Sequence, residues 1–323
     1  MALIVAVGEV LIDFTPYKEK WGFLANPGGS AANFLAQLSI LGQKTAFMGM
    51  VGKDQFGAYL RTTLDSVNIN TEGLLCHQDI PTTLAFVHIK EDGDRSFTFY
   101  RSPGADMMYS PSDINYELID KSQVLHFSGV SLTKEPMRSA ALKAAAYAGK
   151  KGVTISFDAN YRKPLWESEE EALRCLREAL PLVDVLKVSD DEAILLSGKD
   201  DVWEAAEWLK EKGASLVFVT MGPKGCICCH DNLKEHFYTY DTKVVDTTGS
   251  GDSFLGAAIA KIIEANCKIE DLTAEALSAI SDFANAAGAC CASGFGAIPS
   301  LKDEKAIIEC MKTTFKKQDK TSD

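Results

Sequence analysis

Hydrophobic and polar positions repeat at two different periods along this chain, and the change of period separates two kinds of structure. From Lys121 onward, short runs rich in β-branched and aromatic residues, at 124–130, 154–159, 183–188 and 216–221, are spaced by stretches whose apolar residues recur at helical intervals, at 134–149, 168–180 and 201–211. Strand and helix in regular alternation predict βαβ units. The fold class is therefore α/β, a mostly parallel central sheet with helices on both faces. The runs are nearly all apolar, which suits strands covered on both sides. Residues 1–14 have the same character, broken by Glu9 and Asp13. No basic region precedes them, so they predict a buried strand rather than a signal peptide or a membrane span.

A second texture interrupts the first. Residues 82–89 and 96–101 read as two amphipathic strands around the turn Glu91-Asp92-Gly93-Asp94, a hairpin. Residues 10–15 and 21–25, flanking the polar turn 16–20, form a second hairpin that lies beside the first. Together they make a small antiparallel sheet suited to act as a lid. The expected organisation is one α/β domain over 1–315, with lid strands from about 10–27 and 80–106, and a polar, charged tail at 316–323 that is disordered. Lid strands with open edges would pair between subunits, giving a homodimer.

A chain of 323 residues with 46% hydrophobic content buries one large core. The net charge of −12 repels phosphate polyanions, which excludes broad binding to nucleic acid or to an anionic membrane; an anionic substrate needs a local cradle. Nine scattered cysteines, an odd number, fit reduced thiols in a cytoplasmic protein better than a disulfide framework. Cys226, Cys228, Cys229 and His230 cluster, but no second ligand group stands at finger-like spacing, so they read as a strand carrying small apolar thiols.

The candidate chemistry lies in Asp246-Thr247-Thr248-Gly249-Ser250-Gly251-Asp252, which follows the strand-like Lys243-Val244-Val245. It runs into Phe254, Leu255, Ala258, Ile259, Ile262 and Ile263, an apolar stripe on a helix starting near Gly251. Gly249 and Gly251 permit positive φ and close backbone approach, so amide hydrogens at a helix N-terminus face an anion without any lysine. A carboxylate at that spot accepts a proton from an attacking hydroxyl while the amides hold the transferring phosphoryl. Local sequence alone leaves a second reading open, in which Asp252 is only an N-cap. A P-loop is absent, and Phe254 stands where a dinucleotide fingerprint needs its third glycine.

The run 246–252 resembles the Asp-Thr-x-Gly-Ala-Gly-Asp signature of the ribokinase-like sugar kinases, the phosphofructokinase B group, with Ser250 in place of the usual alanine. Pro27-Gly28-Gly29-Ser30-Ala31-Ala32-Asn33, followed by an apolar helix to Leu41-Gly42, looks like the glycine pair and asparagine with which that family holds its sugar. The likeness extends over nearly the whole chain, through Gly49-Met50-Val51-Gly52-Lys53-Asp54 with Gly57, Thr220-Met221-Gly222-Pro223-Lys224-Gly225 and Gly296-Ala297-Ile298-Pro299-Ser300. Residues 99–106, 158–166 and 187–192 look most like fructokinases. The resemblance implies an ATP-dependent phosphotransferase with an alcohol acceptor, phosphorylating D-fructose to D-fructose 6-phosphate.

By the same resemblance Asp13, Gly28, Gly29, Asn33, Tyr100, Arg101 and Arg162 would face the sugar, and Asp252 would take the hydroxyl proton. Gly249, Ser250 and Gly251 would supply the anion hole. Taken singly, Asp13 also reads as a strand-end turn residue and Asn33 as a helix cap. Lys187, Ser189, Glu192, Thr220, Gly222, Gly225, Gly249, Gly251 and Asn285, the last in a helix over 277–292, would border ATP. Ser189 stands where many relatives carry asparagine. Glu192 would organise magnesium-bound water. Asp246, Thr248, Gly296 and Ser300 resemble the ligands of a monovalent cation, usually potassium, and equally a structural bridge between loops. Two guanidiniums facing the sugar, Arg101 and Arg162, would instead bind a carboxylate and make the acceptor 2-keto-3-deoxygluconate. Ribokinase, nucleoside kinase and a non-catalytic sugar-binding relative are the remaining alternatives; a phosphosugar acceptor would need more basic residues in the lid than Lys90 and Arg95.

Overall fold

The computed structural model describes residues 3–17, 21–89 and 95–317. In chain order its strands are β1 (Leu3–Val7), β2 (Leu11–Pro16), β3 (Phe23–Gly28), β4 (Lys44–Gly52), β5 (Ile69–His77), β6 (Leu84–Ile89), β7 (Arg95–Tyr100), β8 (Ser122–Ser128), β9 (Thr154–Asp158), β10 (Val185–Ser189), β11 (Leu216–Thr220), β12 (Cys226–His230) and β13 (Leu233–Phe237). The helices are α1 (Ser30–Ile40), α2 (Gln55–Ser66), α3 (Tyr116–Asp120), α4 (Met137–Lys150), α5 (Glu169–Ala179), α6 (Asp190–Ser197), α7 (Val202–Glu211), α8 (Ser250–Ala265), α9 (Ala274–Ala292) and α10 (Glu304–Thr313).

Nine strands form one sheet in the order β13-β12-β11-β10-β9-β8-β1-β4-β5. Every pairing is parallel except those of β12 and β13 at one edge. Alternate residues of β1 point to opposite faces. Val5 and Val7 join Leu125, Phe127, Ile155 and Phe157 in one core, while Ile4 and Ala6 join Phe34, Phe47, Phe218 and Leu255 in the other. Full burial of Ile4, Val5 and Val7 contributes roughly 1.5–3 kcal/mol apiece, and it explains why the strand is apolar on both sides.

The smaller sheet has the order β3-β2-β6-β7. Its pairings are antiparallel apart from the central one, where β2 runs parallel to β6 because the two hairpins lie side by side in the same sense. One row crosses it through Asp13, Ala85 and Phe99, so these three share a face. The opposite face is aromatic: Phe14 stacks on Phe86 at 4.6 Å between ring centres, and Phe86 meets Tyr100 edge-on at 5.4 Å.

Three expectations need correction. Lys243-Val244-Val245 is not a strand; the amides of Val245 and Asp246 both donate to the Ala292 carbonyl at the end of α9, and β-branched residues there answer a helix terminus rather than a ladder. The helix expected over 277–292 starts three residues earlier, because Thr273 caps it by accepting from the Ala276 amide. Lys316, placed in the disordered tail, forms a β-bridge with Tyr240 and an ion pair with Asp282. Residues 318–323, Lys90, the turn 91–94 and residues 18–20 lie outside the described residues. Cys226–His230 is a buried strand, as its composition indicated. Among the described residues no helix is long and apolar enough to cross a membrane.

Candidate active site

The chain turns from β3 into α1 through Gly28 and Gly29, and both glycines have a steric cause. Gly29 has φ 107°, and a methyl group on it would stand 2.6 Å from the Glu9 carbonyl oxygen. Gly28 makes room for a side chain: a methyl there would lie 2.1 Å from Asp13 Oδ2. The glycine pair therefore fixes where the Asp13 carboxylate sits. A second bend precedes α8, where Gly249 adopts φ 79° with Ala297 packed 2.6 Å from where its Cβ would be. The first bond of α8 runs from the Ser253 amide to the Gly249 carbonyl at 2.8 Å, which leaves the amides of Gly251 and Asp252 outside the helical ladder at the positive end of the helix.

Gly251 lacks the positive φ expected of it. It is bare because Lys187 lies over it: a methyl on Gly251 would meet Nζ at 3.0 Å and Cε at 3.3 Å. Lys187 is buried and bound to both oxygens of Asp158 at 3.1 Å. Burial pulls its pKa down, but the charges of Asp158, Glu192 and Asp252 outweigh that and raise it, so the ammonium persists. The ammonium therefore stands beside the free amides of the helix end, a cation that the local reading of 246–252 did not include.

Two cavities meet at that point. The first, about 340 Å³, lies under the inner face of the small sheet and is lined by Glu9, Asp13, Gly29, Asn33, Phe99, Asn160, Arg162, Leu165 and Asp252. The second, about 500 Å³, is lined by Thr220, Gly222, Gly225, Ser250, Phe254, Asn285 and Lys317. Lys187, Thr247 and Gly251 belong to both walls. Asp252 reaches into the first cavity from the first turn of α8, its Oδ1 accepting from Ser30 Oγ at 2.7 Å and its Oδ2 from Asn33 Nδ2 at 2.8 Å. Both donors come from α1, and neither is an amide of its own helix. Burial and the Asp158 charge raise its pKa, and the bonds from Asn33 and Ser30 and the Lys187 charge draw it back. Burial lifts Asp13 to about 7 against the lowering charge of Arg162, and burial lifts Glu9 to about 7 as well.

Several expected site residues stand elsewhere. Arg101 does not line the cavity; its guanidinium is buried, pairs with Asp106 at 2.7 Å and donates to Thr133 Oγ1 at 2.7 Å, which ties the end of β7 to the turn after β8. Tyr100 is 65% exposed on the outer face of the small sheet, because side chains alternate along β7 and its neighbour Phe99 takes the inner position. Gly28 acts through Asp13 rather than at the wall. Ser189 and Glu192 line neither cavity: they form the capping box of α6, and Glu192 accepts the amides of Ser189 at 2.8 Å and Tyr161 at 2.7 Å. Asn285 spends its amide on the Phe237 carbonyl and Cys226 Sγ while bordering the second cavity. Asp246 binds Thr248 and the Gly296 amide, bridging two loops. Asp54, in the motif after β4, is a helix cap that also accepts from Thr82.

Glu9 and Asn160, which were given no role from the sequence, also line the first cavity. Glu9 accepts the Ser30 amide at 2.7 Å, and an acid inside an apolar run was the available signal for it. Asp158 ends β9 and Asn160 stands two residues on, at the strand end where ligands of parallel sheets gather; of the two, Asn160 lines the cavity.

A large parallel sheet, a small sheet roofing one cavity and a second cavity across a helix N-terminus define a two-substrate phosphotransferase of the ribokinase-like fold. Residues 1–304 match the family model described as pfkB family carbohydrate kinase. A probable fructokinase-5 of Arabidopsis thaliana is 40% identical over 326 aligned residues, covering 97% of this chain and 98% of the relative. The solved fructokinase from Xylella fastidiosa with bound ATP superposes with TM-score 0.89 at 27% identity, over 96% of this chain and 98% of that one. A fructokinase double mutant from Vibrio cholerae O395, in fructose-, ADP- and potassium-bound form, gives 0.88 at 28% identity over the same shares. This chain belongs to the pfkB family of carbohydrate kinases.

Proposed function

We propose that this chain is an ATP-dependent fructokinase in which Asp252 is the general base. The observation that carries the reading is the position of Asp252, with its carboxylate in the smaller cavity and the amides of its turn at the wall shared with the larger one. Fructose occupies the first cavity and ATP the second. The sugar hydroxyl gives its proton to Asp252 as its oxygen bonds to the γ-phosphorus, the bond to the ADP oxygen breaks in line, and Lys187 with the amides of Gly251 and Asp252 faces the charge in transit. The small sheet covers the sugar and keeps water from competing for the phosphoryl group.

Fructose is favoured over a sugar acid because, among the described residues, the cavity offers one guanidinium, Arg162, and three carboxyl groups, while Lys187 is committed to Asp158 and Arg101 to Asp106. The relatives named as fructokinases support the same choice.

Magnesium, when bound, neutralises phosphate charge. Glu192, which lines neither cavity and whose oxygens each take a backbone amide, would reach it only through water. Asp246 with Ser300, whose Oγ is buried without a hydrogen-bond partner, fits a potassium ion. Nine free cysteines support a reducing, cytoplasmic setting. The aromatic outer face of the small sheet supports a homodimer.

The test is ADP release measured over fructose, ribose, glucose, 2-keto-3-deoxygluconate and nucleosides. Fructose is expected to give the highest kcat/KM, and Asp252→Asn to lower turnover on it by about 10²–10⁴ with near-normal sugar binding. A signal with the keto acid and none with fructose overturns the substrate; undiminished turnover in the variant overturns the base.

A further inference from the structure

Around Asp252 the hydrogen bonds form a network in which Asp158 accepts from two sides, and from Asn160 onward the donors run in one direction to Asp252. Lys187 Nζ binds both oxygens of Asp158. The Asn160 amide donates to Asp158 Oδ1 at 3.0 Å, and its Nδ2 lies 3.4 Å from Asp158 Oδ2 and donates to Ser30 Oγ at 3.0 Å. Ser30 Oγ then donates to Asp252 Oδ1 at 2.7 Å. Each member is nine-tenths or more buried. The order of donors matters. A hydroxyl that accepts from Asn160 has its one proton free to point elsewhere, and here it points at Asp252.

Asn160 is held for this purpose by its backbone. Its φ is 37°, the left-handed region that a residue other than glycine enters at a cost. Ser30 is held as firmly, since its own amide is bound by Glu9. The Ser30 hydroxyl is thus fixed from two sides.

We infer that Ser30 is a positioning residue for the phosphoryl transfer: oriented by Asn160, it keeps one oxygen of Asp252 bound so that the carboxylate stays ionised and the remaining lone pairs face the sugar. The inference rests on Asp252 being the base. A hydrogen bond given to the ionised form favours that form, and it opposes burial and Asp158, which push the carboxyl the other way. The charged and titratable groups facing Asp252 are Asp158 from β9, Lys187 from β10, Asp13 from β2, with Arg162 beside it, and Cys291 Sγ from α9. Of these only Lys187 and Arg162 are cations; the Lys187 charge acts on Asp252 in the same sense as the Ser30 bond and is shared with Asp158.

The experiment measures kcat and KM for fructose against pH in Ser30→Ala, Ser30→Thr, Asn160→Gly and the double variant S30A/N160G, with Asp252→Asn in parallel. Ser30→Ala is expected to move the acid limb of the kcat profile upward by about one pH unit, to lower kcat several-fold near pH 6.5, and to leave the KM for fructose within two-fold. Ser30→Thr keeps the hydroxyl and is expected to restore the limb. Asn160 acts through Ser30, so the double variant is expected to shift the limb no further than Ser30→Ala alone. An acid limb that stays in place in Ser30→Ala overturns the inference, and a raised KM with an unmoved limb assigns Ser30 to sugar binding instead. If Asp252→Asn remains fully active the base assignment has failed; if it is inactive while the Ser30→Ala limb is unmoved, only the relay has.

Discussion

At the scale of single residues, the two family-like motifs work through contacts that their residue types only partly announce. Gly28 is the clearest case. Its missing side chain is occupied by the Asp13 carboxylate, 2.1 Å from where a methyl would be. Gly28→Ala is therefore expected to push Asp13 off its position and raise the KM for fructose at least ten-fold with a smaller change in kcat, read from steady-state kinetics; an unchanged KM would remove Asp13 from the sugar contacts. Asp252 and the Gly249 bend were legible because glycines and an acid occur together at a helix start, and Asp13 and Asn33 were marked by the resemblance of their motif; the three side chains line one cavity. The roles of Ser30, Asp158 and Asn160 were not, since each is an ordinary polar residue: Ser30 takes its meaning from Asp252 and Asn160, more than 100 residues away, Asn160 from a backbone angle as well, and Asp158 from a lysine on the next strand. Arg101 misled for the opposite reason: a guanidinium suits both a ligand and a buried ion pair, and only the position of Asp106 decides between them.

At the scale of elements, the alternation of apolar runs was enough to place β8 to β11 and the helices α4, α5 and α7 to within about three residues, because parallel strands carry their pattern locally, while the short α6 was missed. What the pattern lacked was the pairing. Lys243-Val244-Val245 has strand composition but binds the end of α9, and no local signal separates the two. The α8 terminus gives the element-level prediction. Gly251 lies in helix geometry, so Gly251→Ala places a better helix former there while driving a methyl to 3.0 Å from Lys187 Nζ, which Asp158 holds in place. The variant is expected to keep or slightly raise its melting temperature and to lose about ten-fold or more in kcat. A variant of full activity would show that the lysine has room to move and does not touch the phosphoryl group.

At the scale of the whole molecule, folding encloses carboxyl groups that gain protons as they are buried. Glu9 rises from 4.5 to about 7, chiefly through burial. In the window between those values the folded state holds the extra proton, so stability falls as pH rises through it, by roughly 3 kcal/mol once pH exceeds 7. Glu9→Gln keeps an acceptor for the Ser30 amide without the charge. Urea unfolding of the two proteins at pH 5 and pH 8 is expected to show the variant gaining on the parent by an amount of that order across the interval; equal pH slopes would mean that Glu9 is already solvated or paired in the fold. The same compactness has a consequence for how such an enzyme changes its acceptor. Lys187, Thr247 and Gly251 are a partition one side chain thick, and any substitution there disturbs both chambers at once. New specificities must therefore arise on the far side, among Leu11, Phe99, Val130 and Leu165, where the roof is built of interchangeable apolar surfaces and mutation leaves the partition untouched.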